Sequence, residues 1–400
     1  MASKADIDDR WAKPLEGLCV VEICHSVAGP FAGSIFAQLG AEVIKVENPK
    51  GGDHARGWGP PYWHGKSSVF QSLNRDKLGV SINLGDLSDA ERLKQFIIER
   101  ADVVLQNLRP GSAEKSVLSS HSLLAEKPTL IYCNIGAFGA TGPLADQPGY
   151  DPLMQAFGGI MSITGEGSGN PVRVGPAVVD IGSGMWAAIG VLAALRQLQQ
   201  TGKGCVVDTS LFETALAWMS IQVAGYLASG ELRRPMGSGI PEIVPHQAFR
   251  TRNGHLMIAA GNDGLFVNLC AALNRPDLAA DGRFMTNDGR VRNRTELIPM
   301  IESETLKKDS SEWQEILQAA GVPNAPIQSI DQVVAHPQTQ ALQIVQPSPD
   351  LDMQLVGLPL CFNGRRPPFT RNAPSLGEHN EVMPARSGDA GSQEREGTRK

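Results

Sequence analysis

Short apolar runs alternate with helical stretches through the first third of the chain, and that alternation constrains the fold more than any other feature. Residues 18–23 (Leu-Cys-Val-Val-Glu-Ile) predict a buried strand. Pro30 at the expected first helical position and Gly40 as a C-terminal stop bracket a helix over 31–39, and 42–46 form the next strand. A third strand is expected at 80–84, followed by a capping box, Ser88-Asp-Ala-Glu91, that opens a helix to Arg100. Further strands fall at 102–105 and 130–135. Strands alternating with helices imply an α/β fold with a largely parallel sheet covered on both faces.

Past Asp180 the pattern gives a helix to Gln200, a turn at Gly202-Lys-Gly204, a strand over 205–209 and a helix over 211–228. The texture changes at Gly230. Pro235-Met-Gly-Ser-Gly-Ile-Pro241 is a loop that its glycines would leave mobile. A hairpin over 246–249 and 256–260, turning at Arg252-Asn-Gly254, then leads into helical segments as far as Gln318. The expected organisation is a large domain over 1–228, a smaller α+β unit over 229–324, an extended return to the large domain over 325–383, and a polar, disordered tail over 384–400.

A net charge of −6 argues against nucleic acid as the main partner. The six cysteines form no Cys-x-x-Cys pair and read as reduced thiols of a cytoplasmic protein. The start of the chain carries Asp6, Asp8 and Asp9 and no apolar core, unlike a secretory signal. The apolar stretch 185–195 is too short to span a membrane. No histidine has a second His or Cys at ligand spacing, so no metal site is expected. The first loop, Cys24-His-Ser-Val-Ala-Gly-Pro-Phe-Ala-Gly33, lacks the dinucleotide fingerprint, and Pro30 removes an N–H that a phosphate loop would use. Ser112 and Lys115 have Ser-x-x-Lys spacing, but the partner motifs of such serine enzymes are missing, so Ser112 reads as a helix cap.

Two constellations stand above this background. Asp180 falls where an extended run, 174–179, hands over to the apolar helix. Unpaired N–H groups and the dipole at a helix start predict an ionised carboxylate there. It could be a cap, a ligand or a nucleophile, and position alone favours the cap. Basic residues also gather in the first half. Arg56, Arg75 and Arg109 lie in loops beside Gly or Pro, where an open parallel sheet binds ligands, which makes a polyphosphate ligand credible.

Several runs together resemble the class III CoA-transferases, the CaiB–BaiF family. They include Ala28-Gly-Pro-Phe-Ala32, Leu39-Gly-Ala-Glu-Val-Ile-Lys-Val-Glu47, Gly52-Asp53 with Arg56-Gly-Trp58, and Asn74-Arg-Asp-Lys77. Asn107-Leu-Arg-Pro-Gly111, Gly149-Tyr-Asp151, Asp180 and Leu376-Gly-Glu-His379 complete the match, which spans about 15 to 383. The resemblance implies a Rossmann-like large domain built from both chain ends, a smaller domain between, and an interlocked homodimer. It places the family's nucleophilic aspartate on Asp180, passing through an aspartyl-CoA thioester, with coenzyme A as substrate and no tightly bound cofactor.

Family CoA contacts carry over onto Val27, Ala28, Leu84, Asn107, Leu108, Lys115 and Tyr150. Asn48 stands where one member has an arginine. The glycine-rich lid corresponds to Gly237, Ser238 and Gly239. The family's racemases carry Gly-His-Asp where this chain has Gly149-Tyr150-Asp151. They need a base on each face of the α-carbon, and a tyrosine, ionising near ~10, substitutes poorly for histidine. Transferase is therefore favoured. The segments around Arg173 and His246 look most like the succinyl-CoA:glutarate type, with both residues as candidates for holding a second carboxylate; a structural ion pair is the equal alternative for Arg173.

Overall fold

A computed structural model describes residues 13–384 apart from Ser168. The chain divides into two compact units. Among the described residues, one contains 13–160, Arg173–Glu231 and 337–384; the other contains the described part of 161–172 and Leu232–His336. The polar tail expected from 384 lies, past Pro384, outside the described residues, as does the acidic start.

In the first unit six strands form one sheet: β1 (Cys19–Ile23), β2 (Glu42–Glu47), β3 (Leu78–Ser81), β4 (Val103–Gln106), β5 (Ile131–Gly136) and β6 (Val206–Ser210). Every neighbouring pair is parallel, in the spatial order β3-β2-β1-β4-β5-β6. All residues of β1 and β4 are buried, with Val21 between Ile44 and Val104, as expected for central strands covered on both faces. The order reverses between β1 and β4. Chain segments leaving these two strands therefore diverge, which opens a crevice at their carboxyl ends.

Helix α1 (Ala28–Gln38) follows β1, and the chain turns away from it at Gly40, whose φ of +98° is a conformation that glycine adopts readily. Helix α2 (Leu87–Arg100) is capped by Asp86, which accepts from the Asp89 N–H at 3.0 Å. Ser88 is already inside the helix, so the expected capping box sits two residues too late. After β5 come α3 (Asp151–Phe157) and α4 (Val178–Thr201). The 24-residue α4 is, by length and composition alone, apolar enough to cross a membrane, and it is far longer than the 185–195 stretch visible in sequence. One side of it buries Ala187, Ala188, Val191 and Ala194, while Trp186 and Ile189 stay exposed.

The expected helix over 211–228 is two helices, α5 (Leu211–Trp218) and α6 (Ser220–Ser229), and α6 has no buried residue. Its Ile221 and Leu227 are 73% and 77% exposed, so an extensive apolar surface is left facing outward.

The second unit is built on a three-stranded antiparallel sheet, β7 (His246–Thr251), β8 (Gly254–Ala259) and β9 (Asn324–Pro326). Phe249, Leu256, Phe266, Phe284 and Trp313 are among its fully enclosed core side chains. Sequence placed the end of this unit at 324. Pairing of Leu256 with Pro326 keeps the chain in the unit beyond that point, and the division falls after His336. The following stretch is less extended than expected, since it contains helices Ile330–Ala335 and Pro337–Leu342.

Candidate active site

The β1–α1 loop closes one wall of the crevice, and backbone bonds from three directions fix it. The Asn107 side chain accepts from His25 N–H at 3.0 Å and donates to His25 C=O at 2.8 Å. Asp53 accepts from Ser26 N–H at 3.0 Å, and Lys45 Nζ donates to Cys24 C=O at 3.1 Å. Lys45 is fully buried with Glu22 at 3.1 Å and Asp53 at 2.9 Å. Burial opposes its charge, but Glu22 and Asp53 hold its pKa above the ordinary lysine value. Lys77 reaches the other Glu22 oxygen at 2.6 Å; burial outweighs that contact and lowers it to about 8. Gly33 leaves room for Glu22, because a Cβ there would lie 1.8 Å from Oε2.

This network corrects the basic-cluster expectation. Arg56 binds Glu47 through two contacts, at 2.8 and 2.6 Å, and stacks over Phe70. Arg75 is buried between Asp76, Gln346 and the Phe369 ring. Both arginines are committed internally, which removes them as phosphate ligands. Arg109 remains exposed at its loop.

The crevice holds a cavity of about 360 Å³ whose walls include Asn48, Leu84 and Leu108. Val27 and Ala28, at the start of α1, and Asn107 belong to the adjoining loop. Lys115 is exposed in the turns after β4. His54, His25 and Lys50 also line the cavity. Sequence gave no role to His54 or Lys50; the signal was their position just past the carboxyl end of β2.

Asp180 lies in the first turn of α4, not at its cap. The helix begins at Val178, so 174–177 do not form a strand. The N–H groups of Val179 and Asp180 are instead taken by Asp151 Oδ2, at 2.8 and 3.2 Å. Asp151 Oδ1 accepts from Gln155, and Gln155 in turn accepts from Val174 N–H at 2.8 Å, which fixes the approach to α4. The Asp180 carboxylate receives no hydrogen bond from the described residues and is 9% exposed. Burial, then the neighbouring charge of Asp151, pushes its pKa up to about 7. The expectation of a carboxylate kept fully ionised by the helix end is thus overturned: another acid occupies that helix end.

Two glycines of α4 have packing reasons. A Cβ on Gly184 would lie 2.6 Å from Ala28 C=O, and one on Gly182 would lie 2.6 Å from the Trp218 ring. Backbone contact at Gly184 sets the start of α1 one helical turn from Asp180.

The remaining sequence candidates lie as follows. Tyr150 precedes α3 and is 59% exposed. Arg173 folds back onto the carbonyls of Val174 and Gly175, at 3.2 and 2.7 Å, with no acid partner among the described residues. Gly237, Ser238, Gly239 and His246 belong to the second unit. There Gly237 N–H donates to Gly165 C=O at 2.8 Å, Ser238 Oγ accepts from Ala248 N–H at 2.9 Å, and His246 opens β7. Among the described residues no group of three His, Cys, Asp or Glu side chains is arranged to hold a metal.

Residues 15–380 match the model of CoA-transferase family III. The chain belongs to that family. It is 36% identical to the succinate–glutarate CoA-transferase of Agrobacterium fabrum over 377 residues, 92% of this chain and 94% of that one. It is also 36% identical to the succinyl-CoA:glutarate CoA-transferase of Mus musculus, over 82% of this chain and 74% of the relative. Among solved structures, a CAIB/BAIF family protein from Brucella suis superposes with a TM-score of 0.83 at 37% identity, covering 92% of this chain and 98% of that chain. As a CoA-transferase of family III, this chain has the parallel α/β fold that its sequence suggested.

Proposed function

We propose that this CoA-transferase moves CoA from succinyl-CoA to a second dicarboxylic acid, with Asp180 as nucleophile. The observation that carries the reading is a buried carboxylate without a hydrogen-bond donor, beside a helix end already satisfied by Asp151. A desolvated carboxylate with a pKa near 7 is more basic, and so more nucleophilic, than one in water, while still substantially ionised at neutral pH.

The Asp180 carboxylate attacks the thioester carbonyl and expels CoA thiolate, giving a mixed anhydride. The thiolate attacks the aspartyl carbonyl of that anhydride and releases succinate, leaving an aspartyl-CoA thioester. The acceptor carboxylate attacks this thioester, and the freed thiolate then attacks the acceptor's own carbonyl, regenerating Asp180. The loop at Val27 and Ala28, with Asn107, Leu84, Leu108, Lys115 and Tyr150, is assigned to CoA. Gly237, Ser238 and Gly239 are assigned to a lid that protects the anhydride from water. Names of the relatives support glutarate-like acids; Arg173 and His246 are kept as carboxylate contacts, although Arg173 would have to leave its own backbone.

Incubating the protein with succinyl-CoA and a panel of mono- and dicarboxylic acids tests this directly. Glutarate and acids of similar length should form CoA thioesters fastest, as read by mass. No CoA exchange with any acid would overturn the reading. Run in heavy water with a 2-methylacyl-CoA, the same incubation should show no deuterium at the α-carbon on the timescale of transfer. Rapid exchange would instead favour a family racemase.

The exposed apolar surface of α4 and α6 supports a second proposal, that two copies associate as an interlocked homodimer. Native mass measurement at micromolar concentration should give twice the chain mass, and a stable monomer would refute it.

A further inference from the structure

The cavity at the carboxyl ends of β1 to β4 is lined by apolar side chains, including Val46, Ile82 and Leu84, together with polar ones. Its acidic wall residues carry no free charge. Glu47 is neutralised by Arg56, and Asp53 by Lys45 together with two backbone N–H groups. Among the described residues, Lys50 is the cation on this lining without an ion pair. Its place is set locally: Asn48 Oδ1 accepts from Lys50 N–H at 2.8 Å, and Asn48 C=O accepts from Gly52 N–H at 3.0 Å. Asn48 thereby shapes the turn that carries Lys50. His25 and His54, also on the lining, have ring centres 5.9 Å apart. Burial holds His25 below the ordinary histidine pKa, which leaves it neutral, and its Nδ1 is buried without a partner.

An apolar pocket of this size, lined by two imidazole rings and one unpaired cation, suits a purine base with a phosphate on its ribose. We propose that Lys50 recognises the 3′-phosphate of CoA and makes the protein discriminate CoA from dephospho-CoA. The inference rests on the CoA-transferase reading above. A charge-assisted contact made to a phosphate present in one donor and absent from the other affects the two unequally. Asn48 supplies the turn, and the charge comes from Lys50 two residues later.

The test compares succinyl-CoA with succinyl-dephospho-CoA as donors to glutarate. The ratio of their KM values should be roughly tenfold in favour of CoA in the native protein. It should fall close to one in Lys50→Met and be retained in Lys50→Arg. A general loss of folding or activity would not move that ratio. Transfer with an unchanged ratio in Lys50→Met, or no donor preference in the native protein, overturns the inference and leaves the function standing. Absence of transfer from either donor counts against the function itself.

Discussion

Asp180→Asn is expected to lose CoA transfer by roughly a thousandfold or more, since in the proposed mechanism the amide cannot form the anhydride on which every later step depends. Covalent capture should be lost with it. Native protein incubated with succinyl-CoA and then with hydroxylamine or borohydride should yield a modified peptide containing Asp180, whereas the variant should yield none. In the native protein, kcat/KM should fall as pH drops through about 7, because only the ionised carboxylate attacks. Transfer by Asp180→Asn at near-native rate would remove Asp180 from the mechanism.

The same substitution should make the protein more stable at pH 8 and leave it nearly unchanged at pH 4. Burial, followed by Asp151, raises the Asp180 pKa to about 7 in the folded chain, against about 3.9 for an aspartate in an unfolded one. Between those values the folded state holds a proton that the unfolded state has released. Stability therefore falls as pH rises through the window, and the full penalty is felt above the folded pKa. Three pKa units correspond to about 4 kcal/mol at most, and a neutral asparagine of similar shape avoids that penalty. Denaturation midpoints at the two pH values read the difference. Equal gaps between native and variant at pH 4 and pH 8 would mean that Asp180 carries no strain of this kind.

The β1–α1–β2 unit was legible because apolar strands, Pro30 and Gly40 act locally; the observed α1 starts only three residues before the expected Phe31. The state of Asp180 was not legible. It depends on Asp151, 29 residues earlier in the chain, whose carboxylate reaches the same backbone N–H groups. Sequence spacing cannot reveal which of two acids occupies a helix end. The fate of Arg56 and Arg75 was hidden for the same reason, since Glu47, Gln346 and the ring of Phe369 come from separate segments. Lys50 was passed over because an exposed lysine on a turn has no local signature; only the cavity beside it gives the charge meaning.

Gly184 has a mechanical consequence. With no side chain between them, the backbones of α1 and α4 touch at Ala28, and the β1–α1 loop and Asp180 share one stiff joint. A methyl group at 184 would act as a wedge against Ala28, pushing the two helices apart and moving the β1–α1 loop relative to the Asp180 carboxylate. Retuning this protein for a bulkier donor therefore has to proceed by exchanging side chains at the rim of the cavity, because the hinge that could have widened it has been closed.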